Sequence, residues 1–126
     1  MIVGLGTDLV DVARFRLALE RRAALPERLF SDDERAYAFR QKDPSKSLAA
    51  RFGAKEAVMK AMGVGLWKFR FRDVEVVRAP SGAPSISLTG RAAEMAAERR
   101  ITTWHLSLTH TETTAMAVAI ALSADE

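Results

Sequence analysis

The segment from Asp43 to Gly65 constrains this fold more than any other. Asp43-Pro44 is a helix start, because proline is tolerated in a first turn. Leu48, Phe52, Met59 and Met62 then recur at helical spacing. Gly63 and Gly65 supply the stop. The rest of the chain reads as shorter elements around that helix. Ile2 to Val10 is apolar and glycine-containing, a buried strand ending near Asp8. Asp11 stands as the N-cap of a helix with Val12, Phe15 and Leu19 as its apolar stripe, and Arg14, Arg21 and Arg22 fall away from that stripe. A break at Pro26 precedes Ser31-Asp32-Asp33-Glu34, which has the form of a capping box opening a short helix.

Beyond the glycines, Phe71 to Arg78 alternates apolar with charged residues as a half-exposed strand. Ala79 to Pro84 is a turn, and Ser85 to Leu88 returns as the partner strand. Thr89 caps an alanine-rich helix to Arg99. Thr103 to Thr109 and Thr114 to Leu122 are two final strands, joined by a turn near His110-Thr111-Glu112. The order β-α-α-α-β-β-α-β-β predicts an α+β fold with a mainly antiparallel sheet packed against helices. With 126 residues the chain has the length of one domain, residues 1–126.

Composition narrows the chemistry. There is no cysteine, which excludes disulfides, thiolate zinc sites and thiol nucleophiles. Two histidines alone cannot complete an all-protein metal cage, so any metal is expected to be a hard ion held by carboxylates, phosphates and water. No apolar run has the length of a membrane span, and Met1 to Val10 lacks the basic start of a signal peptide. A reducing cytoplasm fits these features. The net charge of +3 is small, yet nine of the 19 cations lie between Arg40 and Arg72, opposed there by Asp43 and Glu56 alone. That basic middle third predicts a local anionic partner.

Three places carry candidate chemistry. On the long helix Glu56 and Lys60 are four apart and share a face, and Ala49 and Gly53 extend that line toward the N-terminus. The pair reads either as an exposed ion pair or as a site approached along a strip of small residues. Asp8, after two glycines at a strand end, reads equally as a metal ligand and as a cap of local amides. In Trp104 to Thr111, alternation puts Trp104, Leu106 and Leu108 on one face and His105, Ser107 and Thr109 on the other. His110 follows where the strand gives way to the turn, and Ser107 lacks the glycine-framed turn of a nucleophile elbow. Arg51, Lys55 and Lys60 flank Glu56, a combination suited to a phosphate ester held through a divalent ion. Trp67, Phe69 and Phe71 alternate with Lys68, Arg70 and Arg72, either a nucleic-acid stacking surface or a strand with one basic edge. The first of these meanings supports an alternative reading, a small basic RNA-binding module.

Taken together, the segments GTDLVDVARF (6 to 15), RLFSDDE (28 to 34), RFGAKEAVMKAMGVG (51 to 65) and WHLSLTHT (104 to 111) are recognisable. The chain resembles the bacterial holo-[acyl-carrier-protein] synthases, the short phosphopantetheinyl transferases, over nearly its whole length. The resemblance implies Mg²⁺-dependent transfer of 4′-phosphopantetheine from coenzyme A to a serine of apo-acyl carrier protein, releasing 3′,5′-ADP, in fatty acid biosynthesis. It implies Asp8 and Glu56 as magnesium ligands, Lys60 on the phosphates and His110 at the reaction centre. Arg51 and Lys55 would line the coenzyme A site, with Gly63 and Gly65 beside it, and Arg14, Arg21 and Arg22 would face the acidic carrier protein. A homotrimer with sites between subunits is expected, with neither a nucleic-acid nor a membrane partner. A related transferase acting on polyketide or peptide-synthetase carrier domains is the nearer alternative. Three positions depart from the family pattern: Thr7 for an aliphatic residue, Gly53 for alanine and Val64 for threonine. The proton acceptor for the serine hydroxyl is either a metal-activated water oriented by Glu56 or His110.

Overall fold

The computed structural model describes residues 1–66 and 68–124. Its elements in order are β1 (Ile2–Asp11), α1 (Val12–Arg21), α2 (Leu25–Leu29), α3 (Asp32–Phe39), α4 (Pro44–Ala61), a 3₁₀ turn (Phe71–Asp73), β2 (Val74–Arg78), β3 (Pro84–Leu88), α5 (Gly90–Glu98), β4 (Ile101–His110) and β5 (Thr114–Ser123). β1, β5 and β4 form one antiparallel sheet in that order, and β2 and β3 form a hairpin. The α+β expectation holds, with two local differences. The break at Pro26 is instead a single-turn helix, because a proline in a first turn has no hydrogen-bonded amide to lose and Phe30 N closes the turn on Pro26 O at 2.9 Å. The strand expected from Phe71 begins at Val74, after the 3₁₀ turn.

Caps fix the helix starts where the sequence places them. Asp11 accepts from Arg14 N at 3.0 Å and Asp43 from Ser45 N at 3.1 Å. The Ser31–Glu34 capping box is complete in both directions. Thr89 holds the N-cap position of α5 without a side-chain hydrogen bond. Among the described residues, no helix is long and apolar enough to cross a membrane.

Helix α4 is the centre of the molecule. It is buried on nearly all sides, from Leu48 through Val58 to Ala61. The strip of small residues predicted as a route for a ligand is covered by the protein's own sheet. β5 turns Ala115, Ala117, Ala119 and Ala121 inward against it, each fully buried. β1 comes closer still: a Cβ on Gly4 would stand 1.8 Å from Ala61 O, and one on Gly6 1.9 Å from Ala57 O. Strand and helix backbones are in contact there, so the glycines set the spacing between β1 and α4. Gly6→Ala is therefore expected to cost stability at the upper end of the ~1–3 kcal/mol typical of overpacking. Urea unfolding checks it; a wild-type midpoint would contradict the close approach.

β1 is not the fully buried strand its composition predicts. Gly6 and Val10 face the core, whereas Leu5 and Leu9 are 60% and 68% exposed. In register with Leu5 and Leu9 stand Ile120 and Met116 of β5, with Val118 opposite Thr7 between them. The β1–β5 part of the larger sheet's outward face is thus apolar and uncovered in a single chain, with His105, Ser107 and Thr109 of β4 beside it.

Candidate active site

The contact of β1 with α4 brings the first set of expected residues together. Alternation along β1 points Asp8, like Gly6, toward α4, and its side chain is 12% exposed. Lys60 Nζ donates to Asp8 Oδ1 at 3.1 Å and to Thr7 O at 2.9 Å. Glu56 lies one turn back, half-buried. Its carboxyl is held above the usual carboxylate range, first by burial and then by the negative charge of Asp8, with Lys60 opposing. The two acids therefore feel one another across the strand–helix contact. A cleft of about 390 Å³ opens beside them, lined by Asp8, Asp11, Arg14, Phe15, Phe52 and Glu56. Of the two sequence readings of Glu56 and Lys60, the solvated ion pair is the poorer, since Lys60 reaches for Asp8.

Among the described residues no group of three or more His, Cys, Asp or Glu side chains is placed to hold a metal ion by itself. Asp8 and Glu56 nevertheless fit a hard divalent cation. They offer oxygen donors to one cleft, and a cation between them would relieve their mutual repulsion. The remaining coordination positions fall to water and to the substrate's own oxygens.

Arg51 and His110 lie in a second cleft, of about 380 Å³, lined also by Tyr37, Lys42, Lys46 and Arg78. Arg51 is 3% exposed. Its Nη1 donates to Ser47 Oγ at 2.8 Å, and its buried Nε has no hydrogen-bond partner. Burial, then the neighbouring Arg78, pulls its pKa below the usual arginine value. A single chain therefore separates Glu56 from His110. Gly63 adopts φ +71° just after α4, and a Cβ on Gly63 or Gly65 would meet nothing within 4 Å. Arg14, Arg21 and Arg22 are exposed, as expected. Arg14 lines the Asp8–Glu56 cleft. Leu17, 43% exposed between Arg14 and Arg21 at helical spacing, adds an apolar contact that charge reading passed over.

Lys55 departs from expectation. Its side chain is fully buried, and Nζ donates to Glu34 Oε1 at 2.8 Å, to Phe71 O at 3.1 Å and to Val74 O. An ammonium with three protein acceptors and no route to the surface does not line a ligand site. Glu34 in turn accepts from Ser31 N and Val76 N, both at 2.9 Å. The basic aromatic stretch also reads differently here. Phe69 and Phe71 are core residues, so neither offers a stacking face for nucleic acid; Trp67 lies outside the described residues. Tyr37 and Arg78 belong to none of the quoted motifs and meet Arg51 only through folding.

The description "4′-phosphopantetheinyl transferase superfamily" fits residues 4–121 by family-model match. The chain is 48% identical over 121 residues to the holo-[acyl-carrier-protein] synthase of Beutenbergia cavernae, covering 96% of this chain and 98% of that protein. It is similar to the crystal structure of the holo-[acyl-carrier-protein] synthase of Neisseria meningitidis, with TM-score 0.90 and 29% identity over 98% of this chain and 100% of that one. A synthase of Bacillus anthracis in complex with CoA (3′,5′-ADP) is similar at TM-score 0.82 and 31% identity, over 98% and 99% of the two chains.

Proposed function

The chain belongs to the 4′-phosphopantetheinyl transferase superfamily and, within it, to the holo-[acyl-carrier-protein] synthases, and from that premise we propose that it transfers 4′-phosphopantetheine from coenzyme A to a serine of an apo-acyl carrier protein, with Mg²⁺, releasing 3′,5′-ADP. The observation that carries this reading is the convergence of Asp8, Glu56 and Lys60 where β1 meets α4. Phosphoryl transfer asks for positioning and charge neutralisation more than for covalent catalysis, and these residues supply both.

Asp8 and Glu56 would hold the magnesium. When bound, the ion neutralises charge on the diphosphate and on the departing 3′,5′-ADP. Lys60, 54% exposed on a flexible stem, adds positive charge where negative charge grows on the transferred group. Arg51 lines the second cleft, where its guanidinium would meet an anion. Gly63 and Gly65 leave room for the coenzyme beside the end of α4. The serine proton goes to a water oriented by Glu56 or to His110. The exposed Arg14, Leu17 and Arg21 offer a basic, part-apolar helix face to an acidic carrier, next to the Asp8–Glu56 cleft.

The working assembly is a homotrimer with each site between two subunits. Two features support it: the uncovered apolar face of Leu5, Leu9, Met116, Val118 and Ile120, and the separation of Glu56 from His110 within one chain. Val118→Asp is expected to give monomers on sedimentation and to abolish transfer. A trimeric, active variant would contradict the assembly. The absence of cysteine fits a reducing cytoplasm.

Chromatography of the reaction tests the function. 3′,5′-ADP is expected only when coenzyme A, an apo-carrier protein and Mg²⁺ are all present, and a chelator is expected to stop its release. Nucleotide release without the carrier would reject the transferase reading. A second apo-carrier from a polyketide or peptide synthetase, compared by rate, identifies the carrier class.

A further inference from the structure

Lys60 directs its charge at the strand and not along its own helix. Among the described residues its ion-pair partner is Asp8 of β1, and not Glu56, the acid one turn back on α4. Nζ donates to Asp8 Oδ1 at 3.1 Å and to Thr7 O at 2.9 Å, so two of its three donors are in use. The Lys60 side chain is 54% exposed, against 12% for Asp8, and its four-carbon stem is free to swing. Asp8 is the more firmly placed of the two. Its other oxygen lies toward α4, where a Cβ on Gly53 would stand 3.7 Å from Oδ2. Lys60 thus bonds the acid that a divalent ion between Asp8 and Glu56 would also need. Two cations on one carboxylate repel each other, a cost that grows as water is excluded.

We propose that Lys60 is a competing counter-ion of the metal site: it holds Asp8 against a lone divalent cation and yields it to one that arrives with a phosphate. The proposal rests on the magnesium and coenzyme A reading above. A diphosphate offers Lys60 charged oxygens in place of one carboxylate and a backbone carbonyl. The exchange needs only a swing of the exposed ammonium, while β1 and α4 stay in contact through Gly4 and Gly6. Once Lys60 has moved, Asp8 and Glu56 are left to the ion. Coenzyme and metal then strengthen one another's binding by the same factor, as linkage requires. The two positions of one lysine make the acids selective for a metal with its diphosphate over a metal alone.

Titration of the intact protein with Mn²⁺, a hard ion whose free form is read by its paramagnetic signal, tests this. Lys60→Met is expected to bind Mn²⁺ about fivefold more tightly than wild type, the size of a partly exposed ion pair. Arg14→Gln removes a cation that lines the same cleft but is not bonded to Asp8. In salt of about 0.15 M it is expected to change the affinity by less than about twofold. Saturating coenzyme A is expected to narrow the gap between wild type and Lys60→Met. Unchanged affinity in Lys60→Met would overturn the proposal. So would equal tightening in Arg14→Gln, which marks a general charge effect, or a gap that coenzyme A leaves intact. In each of those cases, Mn²⁺ binding that is lost in Asp8→Asn leaves the transferase reading standing. Mn²⁺ that binds neither wild type nor Lys60→Met, with or without coenzyme A, defeats both.

Discussion

The Glu56→Gln protein is expected to lose about a hundredfold or more in transfer rate, yet to melt above the wild-type protein in a chelator at neutral pH. The rate loss follows from removing a charge aimed at the reacting phosphate, an effect of about 10²–10³-fold for comparable electrostatic groups. The stability gain follows from the sign of the Glu56 shift. Its carboxyl is raised above the ordinary value of 4.5 by burial and then by Asp8. The folded chain therefore holds that proton more tightly than the unfolded chain does. The resulting stabilisation is complete below pH 4.5 and is lost as pH rises through the raised value. At neutral pH the wild-type protein carries a carboxylate its surroundings disfavour, and glutamine carries none. The melting gap is thus widest near neutrality and closes in acid. Melting curves across pH check the stability half, and unchanged turnover would remove Glu56 from the site.

Lys55→Met is expected to destabilise the protein by about 3–5 kcal/mol, the cost of breaking a buried ion pair from one side. In a domain of this size that lowers the melting temperature by about 10 °C or more. Burial pulls the Lys55 pKa down, with Glu34 opposing, so the ammonium depends on its partner. The variant strands the Glu34 carboxylate in the core with two backbone amides. Removing both charges, in Glu34→Leu/Lys55→Met, is expected to recover much of the loss, because two desolvation costs vanish with the attraction. Denaturant unfolding of both variants separates the cases. A single variant as stable as wild type would contradict the pairing. A folded Lys55→Met protein with wild-type coenzyme A affinity would confirm that the residue holds α4 in the core and does not touch the ligand.

Much of this was legible in residue order, and the limits have physical causes. Local signals survive folding: the Asp11 and Asp43 caps, the Ser31–Glu34 box and the alternation of Trp104, Leu106 and Leu108 all depend on near neighbours. What spacing cannot reveal is which surface lies on another. The line of Ala49 and Gly53 shows that one side of α4 is smooth, but not that the sheet covers it. Glu34 is fully explained by its capping role, which conceals its second bond, to a lysine 21 residues on. Lys55 sits in a cationic run, and such runs suggest solvent or ligand unless an acid from elsewhere is known to meet them. Tyr37 and Arg78 converge on Arg51 through three separate elements. Asp8, Glu56, Lys60 and His110 stand out by residue type and spacing, the resemblance implies their roles, and their division between two clefts emerges only from the fold.

The intact mass of an apo-acyl carrier protein, before and after incubation with this protein, coenzyme A and Mg²⁺, tests the central claim most directly. The account predicts a gain of one 4′-phosphopantetheine group, absent when the carrier's acceptor serine is replaced by alanine and absent with the Glu56→Gln protein. A carrier of unchanged mass after incubation with folded, coenzyme-binding protein would contradict it.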